Sequence, residues 1–115
     1  MANDFKRFAK PSVGTSTRAS ADAVYTVPAG AGSTALESIV IGITLANKTS
    51  TGVTASVFLD NEDGSNDVFI VKDATVPAGS SLEIMSGNKL VVQNDGSNAD
   101  VIRISCGTAS ALDAI

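Results

Sequence analysis

From residue 23 onward this chain is written in a period of two. Val53, Ala55, Val57 and Leu59 alternate with Thr54, Ser56 and Phe58, and Ile102, Ile104 and Cys106 alternate with Arg103 and Ser105. That spacing puts successive side chains on opposite faces of an extended strand, one buried and one solvated. No segment places apolar residues at helical spacing over the length of a helix. The alternation therefore constrains the chain to an all-β fold. Turn chemistry cuts it into strands. Val24-Tyr25-Thr26-Val27 stops at Pro28-Ala29-Gly30, where proline presets the first central position and glycine suits the last. Further reversals are expected at 47–52, at Asp63-Gly64, at Pro77-Ala78-Gly79, at Gly87-Asn88 and at 94–98.

The pattern predicts about seven strands in a single antiparallel β-sandwich, jelly-roll or Ig-like, with an extended N-terminal arm. A length of 115 residues fits one core. Residues 1–22 read as a basic arm and linker, 23–107 as the sandwich, and 108–115 as a C-terminal tail. Within the arm, Phe5 and Phe8 stand three apart, so one helical turn places both rings together. The longest strand is expected at 35–46, with Ile39, Ile41, Ile43 and Leu45 on one face. Such a strand is either an ordinary central strand or an edge open to strand addition by another chain. Two tetrapeptides recur, Val-Pro-Ala-Gly at 27–30 and 76–79 and Asp-Gly-Ser-Asn at 63–66 and 95–98. Their unequal offsets read as reused turn chemistry, not duplicated domains.

Composition removes most catalytic classes. The chain has no His, no Trp and one Cys. Triads built on His, Cys–His pairs, imidazole metal ligands, disulfides and thiolate zinc sites all lack their residues. Cys106 ends an alternating strand on its apolar face, which reads as a small core residue, not a nucleophile. The acidic run 60–67 invites calcium, but with Gly64 as the sixth position of an EF-hand loop the first and twelfth become Leu59 and Ile70. A solvated hairpin tip is the simpler reading. Two carboxylates for glycoside chemistry exist among 12 acidic residues, yet the aromatic platforms of sugar sites are missing. The expectation is a non-enzyme with no cofactor and no metal. The Asn47-Lys48-Thr49 sequon carries no weight without secretion, and MANDFKRFAK has no apolar signal region. The apolar stretch 39–45 is too short to span a bilayer, so no membrane partner is expected.

The net charge of −4 hides a division. Residues 1–18 carry Lys6, Arg7, Lys10 and Arg18 against Asp4, a net +3, while the remaining residues carry 4 basic and 11 acidic groups, a net −7. An acidic body repels a phosphate backbone, so nucleic acid is not the expected partner. A basic aromatic arm is either a solubilising, frayed terminus or a contact for an acidic protein surface, and the second reading makes Phe5, Lys6, Arg7, Phe8, Lys10 and Arg18 the expected contact residues.

Three stretches carry a resemblance. The opening Met1-Ala2-Asn3-Asp4-Phe5-Lys6-Arg7-Phe8 with Val24-Tyr25-Thr26-Val27-Pro28-Ala29-Gly30, the segment Ile41-Gly42-Ile43-Thr44-Leu45-Ala46-Asn47, and Val71-Lys72-Asp73-Ala74 through Val76-Pro77-Ala78-Gly79-Ser80-Ser81-Leu82-Glu83 resemble small accessory virion proteins of tailed bacteriophages, most of all phages of marine bacteria including cyanophages. The resemblance implies a structural virion component made in the host cytoplasm, with the major capsid protein or other virion proteins as partners. A compact acidic body with a basic arm fits a capsid decoration or cement protein, which stabilises a lattice by binding only its assembled form. A neck, tail or baseplate accessory protein is the alternative. A carbohydrate-binding host-attachment module is the third. Self-association is expected, and a trimer fits threefold lattice sites by analogy.

Overall fold

The computed structural model describes residues 6–16, 21–61, 68–85 and 89–115. Phe5, Arg18, most of the acidic run 60–67 and the Asp63-Gly64 and Gly87-Asn88 reversals lie outside the described residues. The fold is all-β and antiparallel, with no helix among the described residues. The strands are β1 (Asp22–Thr26), β2 (Leu36–Val40), β3 (Thr44–Asn47), β4 (Val53–Asp60), β5 (Val68–Val76), β6 (Ser81–Glu83), β7 (Leu90–Asn94), β8 (Val101–Cys106) and β9 (Leu112–Ala114). They form a four-stranded sheet β1-β8-β4-β5, a two-stranded ribbon β2-β7 and a three-stranded sheet β6-β3-β9.

The described strands thus number nine, against about seven expected from turn spacing. One difference is the expected strand at 35–46. It is two strands, β2 and β3, in different sheets, joined by residues 41–43. A chain that changes sheet cannot keep one face in the core throughout. Ile43 and Leu45 are buried, whereas Ile39 and Ile41 stand exposed. Gly42 sits at the crossing, with open space where a Cβ would be. The second difference is the tail. β9 pairs with β3, and Leu112 and Ala114 are buried.

The expected linker also packs. Lys10 bridges Ala114, Val13 donates its amide to the Leu112 carbonyl, and the Val13 side chain is 0% exposed. Residues 10–14 therefore line the outer edge of β9, while residues 6–9 carry no regular secondary structure.

One aliphatic core joins the three sheets. Leu45, Val57, Val76, Val92, Ile104 and Leu112 are fully buried within it. Each such side chain contributes about 1.5–3 kcal/mol through removal from water. Cys106 belongs to the same cluster, and its thiol is directed at the Thr108 carbonyl, 2.8 Å away.

The pairing has an internal symmetry. Exchanging strands 1–4 with strands 5–8 in order maps the four-stranded sheet onto itself and the ribbon β2-β7 onto β6-β3. The two Val-Pro-Ala-Gly turns follow the equivalent strands β1 and β5. Val27 and Val76 are both buried, and their carbonyls accept side-chain amides of Asn94 and Asn47, at 2.9 Å each. Each asparagine ends its strand, and its side-chain oxygen accepts the amide two residues on, from Gly96 and from Thr49. Asn47 is therefore a buried structural residue, and this engagement is itself a reason why the sequon would not accept a glycan.

Candidate functional site

The sheet edges are finished in two ways. β5 bounds the four-stranded sheet, and its register against β4 shifts twice. Lys72 and Asp73 together oppose Ser56, and Asp73 takes a φ of 51°. The Ser56 hydroxyl accepts the Asp73 amide at 3.0 Å and fixes this bulge. Bulges and charges of this kind stop an edge from recruiting another strand.

β2 carries the charge of Glu37 but no bulge. Its five pairs with β7, from Leu36↔Asn94 to Val40↔Leu90, run without a shift. The Gln93 carbonyl accepts the Asp100 amide, and the Gln93 amide donates to the Asp100 carboxylate. Gln93 thus turns its main chain away from β2. In an antiparallel ladder directly opposed residues share that sense, so Glu37 and, two on, Ile39 turn theirs away from β7, toward the open edge of β2.

A groove of about 730 Å³ runs along this edge. One wall is the segment Lys6, Arg7 and Phe8, and the other is β2 with residues 41–43. Tyr25 holds the two together. Its ring lies 4.6 Å from that of Phe8, tilted by 42°, and its hydroxyl is hydrogen bonded to Ser38 Oγ at 2.7 Å. The ring pair contributes beyond simple burial. The groove mixes apolar Leu36, Ile39 and Ile41 with cationic Lys6, Arg7 and Lys89 against the single acidic side chain Glu37, a net positive lining that suits an extended acidic segment with apolar side chains.

Of the expected contact residues, Lys6, Arg7 and Phe8 thus come together in one groove. Lys10 is directed elsewhere, with its ammonium 3.9 Å from Asp22 and its backbone paired to Ala114. Sequence reasoning missed Tyr25. Its signal was present, as the lone Tyr in a chain without Trp. Of the two readings of the long strand, an edge is the one that applies to β2, which pairs with β7 alone among the described strands.

Elsewhere the charged groups serve the fold. Arg103 Nε donates to Asp60 at 2.8 Å, which engages the first carboxylate of the acidic run. Among the described residues no group of three or more His, Cys, Asp or Glu could hold a metal ion. The Ser12 amide and the Lys48 ammonium lower the Asp113 carboxyl below its ordinary value. Amides of Asn98 and Ser97 lower Asp95 in the same way. No helix among the described residues is long and apolar enough to cross a membrane. No protein-family model, no curated protein and no solved structure matches the chain.

Proposed function

We propose that this chain is a non-enzymatic structural protein of a phage virion, a decoration or cement protein that binds an assembled capsid lattice. One observation carries the reading: the basic aromatic segment Lys6-Arg7-Phe8 and the bulge-free edge of β2 line a single groove. The lattice protein would supply an extended acidic segment to it. Main-chain pairing along β2 would give affinity, and the cations and apolar lip would give register. Many weak contacts of this type on a repetitive surface add up through avidity.

We propose further that the fold is a jelly-roll sandwich. Its support is the nesting of pairs β1–β8, β2–β7, β3–β6 and β4–β5, the pattern of one long ribbon folded in half, with one departure from a standard roll, since β8 pairs with β4 and so joins the first and last pairs in one sheet.

The test is incorporation into particles. Replacing Lys6 and Arg7 together by Glu should abolish binding to assembled capsids and leave the fold intact. Deletion should stop before Lys10, because residues 10–14 belong to the body. Undiminished binding by the charge-reversed chain would overturn the groove. Copies per virion separate the locations: hundreds fit a capsid lattice, and about a dozen fit a neck, tail or baseplate. Saturable binding on a glycan array would favour the carbohydrate reading instead.

A further inference from the structure

We propose that the outer face of the β2–β7 ribbon is a self-association surface on which a second copy of this chain docks about a two-fold axis. The face adjoins the groove and shares Glu37, Ile39, Ile41 and Lys89 with its lip, while Val91 lies outside it. Its centre is the directly opposed pair Ile39 and Val91, 61% and 57% exposed, with Ile41 next to it at 63%. An apolar cross-strand pair in the middle of an exposed ribbon is out of place on a monomer.

The molecule contains its own control. Three residues before Asn94 stands Val91, opposite Ile39, and three residues before the equivalent Asn47 stands Thr44, opposite Glu83. The same topological position is thus polar in one half of the fold and apolar in the other. Ser81 and Ala46 continue the outer face of the first half, where water is the only neighbour required. The Ile39–Val91 pair is therefore not imposed by the fold.

Charge selects the occupant. Glu37 lies beside Ile39 at one end of the face, and Lys89 continues the alternation beyond Val91 at the other end. Both are exposed, and among the described residues neither has an ion-pair partner. A two-fold axis lying in the interface and crossing the strands reverses strand direction. It stacks Ile39 and Val91 on their own copies and carries Glu37 of each chain to Lys89 of the other. The face is therefore complementary to itself, as an isologous contact requires. This inference does not rest on the virion reading and stands if the lattice contact fails.

Sedimentation equilibrium of the full chain tests it. Wild type should be a dimer at about 100 µM, where a micromolar complex is nearly saturated. Glu37→Lys and Lys89→Glu should each be monomeric, because each sets like charges against one another twice. Their equimolar mixture should restore a dimer holding one chain of each kind. Ile39→Ser keeps both charges and should weaken the dimer by about tenfold or more. Circular dichroism confirms that each variant is folded. A monomeric or trimeric wild type, a mixture that stays monomeric, or an Ile39→Ser chain that associates as well as wild type would overturn the proposal.

Discussion

The two halves of this fold are built on the same pairing and finished differently. In one, β3 is flanked by β6 and β9, residues 10–14 line β9, and the outer face carries Thr44 opposite Glu83. In the other, β7 has β2 as its one strand partner among the described strands, residues 99 and 100 bond its far edge only at Asn94 and Gln93, and the outer face carries Val91 opposite Ile39. The inner residues match closely, since Leu45 and Val92 are both fully buried. The differences lie in edge cover and in what faces outward. The closed half is completed by the chain's own ends, and the open half presents apolar side chains and a regular edge. Extra strand pairing is thus found in one half, and an exposed apolar cross-strand pair in the other.

The largest effect should come from opening the closed half. Leu112→Ala removes a fully buried side chain of β9 and should cost about 2–5 kcal/mol in denaturant unfolding. Ile39→Ala, in the open half, should change the monomer's stability by no more than about 0.5 kcal/mol. Equal costs would erase the comparison.

The asparagines come next. Asn47→Ala and Asn94→Ala each leave a buried valine carbonyl without its donor. Each should cost about 1–3 kcal/mol, and the two values should agree closely. A large disparity would show that the two turns are equivalent in topology but not in energetics.

Acid should act on the closed half through Asp113. The Ser12 amide and then Lys48 lower its folded pKa below the ordinary 3.8. A depressed carboxyl stabilises the fold above its unfolded pKa, and that contribution fades as pH falls through the folded value. Asp113→Asn should therefore flatten a shallow loss of stability below about pH 4. The group is exposed, so the slope should be small and should shrink further in high salt. An unchanged acid profile would remove Asp113 from the account.

The smallest effect on stability should come from copying the open face onto the closed half. Thr44→Val with Glu83→Ile should leave the unfolding midpoint nearly unchanged and create a second sticky face. Light scattering should then report assemblies beyond a dimer. A chain that gains no association would weaken the claim that this pair governs contact.

Much of the fold was legible from period and punctuation. The strand at Val53–Asp60 and the strand at Val101–Cys106 read directly from their alternation, although the face expected to be solvated is partly buried too, at Ser56, Phe58 and Ser105. The split of 35–46 did not, since apolar alternation runs unbroken through a change of sheet that only tertiary pairing reveals. β9 was hidden by its brevity and its Ala-rich surroundings, where burial by β3 outweighs weak intrinsic strand preference. The recurring Val-Pro-Ala-Gly was visible, but its meaning depended on Asn94 and Asn47 reaching it from distant strands. Lys6, Arg7 and Phe8 were legible as a basic aromatic segment, yet nothing in their spacing pointed to Tyr25 or β2.

The central claim is that the outward pair of the open half exists for contact. Its most direct test exchanges that pair for the one found in the closed half, Ile39→Glu with Val91→Thr, and compares the sedimenting mass of this chain with wild type. The account predicts a wild-type dimer, a monomeric exchanged chain and the same unfolding midpoint once the dimer's contribution is removed by dilution. An exchanged chain that still sediments as a dimer, or a wild type that is monomeric throughout, would contradict it.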